Sequence, residues 1–96
     1  MAYDPGAIDA TLAAAVGDEP ALIAELRVAF VESAEKTIAA IGNAKDDEAW
    51  GLATARLKGL AASFGAIRLM GLAAEAASKP HDADVVRKLR RAVERL

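Results

Sequence analysis

A chain of 96 residues is long enough for one domain with one core, because folding at this size buries roughly 60 to 68% of the unfolded surface. Apolar residues make up 54%, charged residues 27% and aromatics only 4%, a balance that argues against disorder and suits close packing of Ala-, Leu-, Val- and Ile-rich helices. The 12 basic and 14 acidic residues are interspersed along most of the sequence and leave a formal net charge of −2, so no long-range field draws in nucleic acid or anionic lipid, and a protein is the expected partner.

No apolar run approaches the roughly 20 residues that span a bilayer, and the first residues lack the basic and apolar regions of a signal peptide. The expected location is cytoplasmic, with no membrane partner. Without Cys, disulfides, thiolate catalysis and Cys-ligated metal are excluded.

No window alternates with period two, whereas apolar residues recur at three- and four-residue spacing, so every predicted element is a helix. The first covers about Pro5 to Val16, with Ile8, Leu12 and Ala15 on one face and Gly17 as its stop. Asp18 is the expected N-cap of a long second helix, since Glu19 and Pro20 suit a first turn. That helix runs to about Gly42 and Asn43, with Ile23, Leu26, Phe30, Ala34, Ile38 and Ile41 on its apolar arc and Glu25, Glu32 and Lys36 on its wet side.

Asp46 or Asp47 should cap a third helix that reaches Phe64 before Gly65 interrupts it. A fourth, from about Ala66 to Ser78, buries Leu69, Leu72, Ala73 and Ala76 and is closed off by Pro80. The last begins near Asp82 and presents Val86, Leu89, Val93 and Leu96 to the core, with Arg90, Arg91 and Arg95 near the end where the macrodipole favours cations. Short connections favour antiparallel neighbours. The expectation is therefore one all-α domain over residues 1–96, an up-down four-helix bundle with a short additional N-terminal helix over one end; an irregular helical domain is the main alternative.

The third helix is the informative one. At about 100° per residue, Trp50, Ala53, Leu57, Leu60 and Phe64 form a core stripe, and Glu48, Gly51, Leu52, Ala55, Lys58, Gly59 and Ala62 fall on the opposite side. A solvent face normally carries long polar helix formers, yet this one is mostly small and apolar, and each interior glycine costs about 1 kcal/mol relative to Ala. Small side chains let another surface come close, so Gly51, Leu52, Ala55, Lys58, Gly59 and Ala62 are the candidate partner-binding residues. Compositional bias toward Ala and Gly is the competing explanation.

From Ala55 the sequence reads Ala-Arg-Leu-Lys-Gly, then six residues on Gly65-Ala66. It resembles the H-x-L-K-G-(five residues)-G-A signature of histidine-containing phosphotransfer (HPt) domains, with Leu57, Lys58, Gly59, Gly65 and Ala66 at matching offsets. Gly17 to Leu22, Glu25, Leu26 and Phe30 resemble the entry to the family's second helix, and Leu69, Ala73 and Ala76 fit its following helix, so the likeness covers about residues 8–78. In that family a histidine on this helix exchanges a phosphoryl group with the aspartate of a receiver domain, a lysine three residues on holds the phosphoryl oxygens, and the next glycine leaves room for the receiver. The resemblance implies those supporting roles for Lys58 and Gly59. Ala55 stands where the histidine would be, and a methyl group has no lone pair with which to attack phosphorus.

His81, the chain's one histidine, falls in a connection far in sequence from Lys58; it is expected to be solvated or in the last helix's first turn, not a phosphate acceptor or metal ligand. Trp50 reads as packing, Met70 as a gap-filler, Arg56 as a snorkelling side chain, and the basic run Arg87 to Arg91 as a solvated face rather than a nucleic-acid site. The expectation is a non-enzymatic signalling module, without cofactor or metal, that docks a response-regulator receiver domain or related protein and does not accept phosphate. The alternatives are a phosphotransfer protein whose natural histidine at position 55 has been replaced, and a structural module that homodimerises through Gly51, Ala55 and Gly59.

Overall fold

The computed structural model describes residues 5–17 and 19–96, all of whose regular structure is helical. In chain order the helices are α1 (Pro5–Val16), α2 (Pro20–Gly42), α3 (Asp47–Ser63), α4 (Ile67–Ala77) and α5 (Ala83–Glu94). None is long and apolar enough to cross a membrane.

Each boundary has a local cause. Gly17 ends α1 in the left-handed region at φ 81°, where lack of a Cβ removes the steric penalty. Pro20 starts α2, its fixed φ suiting a first turn. The N-cap position there is Glu19, with extended backbone and no side-chain hydrogen bond to the helix; the expected cap, Asp18, lies outside the described residues. Of the two candidate caps for α3, Asp46 takes the role: its carboxylate accepts from the Ala49 amide at 2.8 Å, while Asp47 and Glu48 fill the acidic first turn. At the far end Gly65 turns left-handed at φ 70°, the Gly65 amide donates to the Ala62 carbonyl and the Ala66 amide to the Ala61 carbonyl. That paired closure is a Schellman motif, which satisfies carbonyls the helix end would otherwise orphan. Asp82 caps α5 by accepting from the Asp84 and Val85 amides.

Packing runs α2 on α3, α3 on α4, α4 on α5 and α5 back on α2, while α1 lies against α2. The core gathers Ile8 and Leu12 of α1, Phe30, Ala34, Ile38 and Ile41 of α2, Trp50 and Leu57 of α3, Leu69 and Ala73 of α4, and Val86, Leu89 and Val93 of α5. Ala15, expected on the buried face of α1, is exposed, whereas Ile8 and Leu12 of the same helix are buried. Ile23, Leu26, Leu60, Phe64, Leu72 and Leu96 are partly buried against the core.

Two polar and aromatic contacts register the helices. The Trp50 indole donates from Nε1 to the Ala76 carbonyl at 2.7 Å, joining the first turns of α3 to the last turn of α4. The Phe30 and Phe64 rings stack with centroids 4.7 Å apart, joining the first half of α2 to the end of α3.

The two faces of α3 make opposite predictions. Leu57 is fully buried and Leu52 is 65% exposed, so Leu57→Ala should cost about 2–5 kcal/mol and Leu52→Ala no more than about 0.5 kcal/mol. Urea unfolding followed by circular dichroism measures both.

Candidate functional site

The rotation of α3 is set by what it buries. Trp50, Ala53, Thr54, Leu57 and Ala61 face inward, and helical geometry then turns Glu48, Gly51, Leu52, Ala55, Lys58, Gly59 and Ala62 outward, where all are exposed. The structure thus brings the six candidate partner-binding residues onto one uncovered surface. The buried stripe is wider than the expected one, because Thr54 and Ala61 also turn inward. The Thr54 hydroxyl tolerates burial by donating to the Gly51 carbonyl at 3.1 Å.

A Cβ built on Gly51 or on Gly59 would meet no atom within 4 Å. No packing within the described residues demands glycine at either place, and neither has positive φ. Gly71, on the neighbouring α4, is equally unobstructed.

Chemically this surface offers one cation, Lys58, one carboxylate, Glu48, and an apolar side chain, Leu52, amid small residues. Ala55 brings no nucleophile, and the nearest hydroxyls in the helix are committed, Thr54 to Gly51 as above and Ser63 to the Gly59 carbonyl at 2.9 Å. Arg56 is exposed beside it, and Met70 is half-buried against the core.

His81 is exposed in the α4–α5 connection, as expected, and is held there by two contacts. Its backbone is left-handed at φ 63°, Nε2 lies 2.9 Å from Asp47 Oδ1, and its ring is 5.4 Å from that of Trp50. A cleft of about 470 Å³ opens beside it, lined by Trp50, Asp82, Arg87 and Arg90 among others. The contact with Asp47 ties the α4–α5 loop to the start of α3; Asp47 precedes Ala55 by eight residues, about 12 Å along a helix axis. His81 is therefore not poised over Ala55. Residues 34 positions apart with no periodic relation leave no trace in sequence, and the pair becomes legible only once the fold places the loop.

The two signs of charge are not evenly divided along the chain. Residues 67–96 hold seven Lys or Arg against four Asp or Glu, while residues 1–66 hold five against ten. On the α4–α5 side, Lys79 Nζ lies 3.2 Å and Lys88 Nζ 3.6 Å from Glu75 Oε1.

No family model matches the chain, and no curated protein or solved structure matches it.

The hydrogen bond from Lys79, followed by the charge of Lys88, lowers the Glu75 pKa below the usual carboxylate value. A carboxyl depressed in the folded state stabilises the fold above its unfolded pKa, and that contribution is lost as pH falls through the lower folded value. In a carboxyl-detected NMR titration Glu75 should titrate below the ordinary glutamate range, and Lys79→Ala should move its midpoint upward. High salt should shrink the difference, since the pair is exposed.

Proposed function

We propose that this chain is an HPt-like signalling module that docks a receiver domain through the exposed face of α3 and does not itself accept phosphate. One observation carries the reading: Gly51 and Gly59 stand mid-helix with open space where their side chains would be. Helix propensity penalises both, and nothing in the described chain compensates. A partner that approaches the backbone closely would. The remaining support comes from Ala55, Lys58 and Gly59 occupying the signature positions of the resemblance, on the outward side of the same helix.

The four-helix arrangement belongs to the same proposal. Trp50 of early α3 reaches Ala76 of late α4, Phe30 meets Phe64 at the end of α3, and the Arg27 guanidinium of early α2 donates to the Leu96 carbonyl beyond α5. Each contact joins an early part of one helix to the end of its neighbour, as in an up-down antiparallel bundle with α1 added. In such a frame α3 is held rigidly between α2 and α4 while its outer side stays free, which suits recognition without conformational change. Lys58, one turn from Ala55, would supply charge toward a partner's acidic pocket; with only a methyl group at position 55, the encounter ends in binding. The reading places the module in the cytoplasm, where receiver domains operate.

Gly59→Gln separates this reading from an ordinary solvent face. Glutamine should raise helix stability by roughly 0.5 kcal/mol while its side chain obstructs close approach. The melting temperature should therefore rise and receiver affinity in calorimetry should fall. Lys58→Ala should weaken binding chiefly at low salt, because one exposed charge is screened over about 8 Å at physiological ionic strength. Unchanged receiver affinity in a stabilised Gly59→Gln protein would remove the docking role. If sedimentation instead showed a dimer that Gly59→Gln dissolves, the same surface would serve self-association through Leu52 and the small residues around it.

A further inference from the structure

We infer that the groove between α4 and α5 docks a carboxylate-rich amphipathic helix of another protein. The surface is distinct from the outer face of α3 and does not depend on the reading of that face.

Two rows of side chains form the groove. Arg68, Leu72 and Glu75 recur at four- and three-residue steps along α4, and Lys88 and Arg91 do so along α5 with Arg95 at its C-cap, so each row lies on one flank of its helix; Lys79 follows in the turn just past α4. A hollow of about 400 Å³ lies between Arg68, Leu72, Glu75, Lys88, Arg91 and Arg95, with buried Ala92 at its floor. A second hollow of about 330 Å³, lined by Lys79, Lys88, Arg87 and Arg91 and by the carboxylates of Asp82 and Asp84, shares Lys88 and Arg91 with the first. The two hollows therefore adjoin through Lys88 and Arg91 as one groove, whose α4 wall from Arg68 to Glu75 is about 10 Å long at the helical rise.

Its charges are unevenly answered. Glu75 serves both Lys79 and Lys88, and Arg87 pairs with Asp84. Arg68, Arg91 and Arg95 have no carboxylate in ion-pair range among the described residues. Guanidinium groups present fixed forks of donors that suit carboxylates, and the repulsion among these cations is relieved when an anionic partner lies between them. The α5 row of Lys88, Arg91 and Arg95 carries one sign throughout, whereas a surface built only for solvation intersperses both.

The chemistry favours an acidic helix over a nucleic acid. No aromatic side chain lines either hollow to stack a base. A duplex, with a charge about every 1.7 Å of axis, would overrun the groove onto the acid-rich remainder of the chain. A single helix, about 10–12 Å across with its side chains, can place an apolar row over Leu72 and Ala92 and Glu at three- and four-residue spacing toward the arginines.

The test titrates the full chain, observed by NMR, with a synthetic helical peptide carrying a row of Leu flanked by Glu at that spacing. Shift changes should concentrate along the facing flanks of α4 and α5. Arg91→Glu should weaken binding on the order of tenfold or more, as expected when a desolvated charge pair is reversed. Arg68→Gln, on the other helix, should also weaken it, which keeps the test decisive if Arg91→Glu fails to fold. Lys36→Glu, exposed on α2, should leave affinity unchanged. The inference is overturned by no binding at low salt, by equal binding of a scrambled peptide of the same composition, or by an equal loss with Lys36→Glu. Tighter binding of a DNA duplex, or of phosphatidylserine vesicles, through the same arginines would overturn the assignment of partner.

Discussion

Burial of one stripe of α3 is the constraint on which the rest depends. A helix presents its residues at fixed angles, so seating Trp50, Thr54, Leu57 and Ala61 between α2 and α4 leaves no freedom over what points outward. Trp50 fixes the stripe most sharply: its ring is 2% exposed, and its one polar atom is satisfied by the Ala76 carbonyl. Rotating α3 would bury Lys58 and Glu48, expose the indole and leave its N–H without that partner. Loss of buried apolar area and desolvation of two charges both oppose such a rotation.

Much of this frame is legible in the sequence because the physics behind it is local. Helix ends follow from Gly17, Pro20, Asp46, Gly65 and Asp82, whose effects act within a few residues. The outward face of α3 is legible as well, since Trp50 and Leu57 set its phase. The less accurate readings concern what surrounds a helix. Ala15 has the right phase but is exposed, whereas Thr54 and Ala61 sit at the edge of the apolar arc and are buried, α3 being packed against both α2 and α4. The His81–Asp47 contact and the basic groove depend on which helix flanks become neighbours, and periodicity along one helix carries no such information.

The two surfaces differ in physical character. The face of α3 is notable for missing bulk: small residues, one cation and open space over Gly51 and Gly59. The α4–α5 groove is notable for long cationic side chains around an apolar floor. A partner on the first gains from close backbone approach and shape, and is weakly sensitive to salt; a partner on the second gains from paired charges and is strongly sensitive. The surfaces lie on different helices, one on α3 and the other between α4 and α5.

The proposed function requires the outer side of α3 to be a docking surface. Its most direct test is a residue-resolved NMR titration of the chain with a receiver domain held in its activated form by beryllofluoride. Shift changes and line broadening should centre on Gly51, Leu52, Ala55, Lys58, Gly59 and Ala62, with the flank of α5 unaffected. Saturating receiver that leaves those amides unmoved, or that perturbs only α4 and α5, would contradict it.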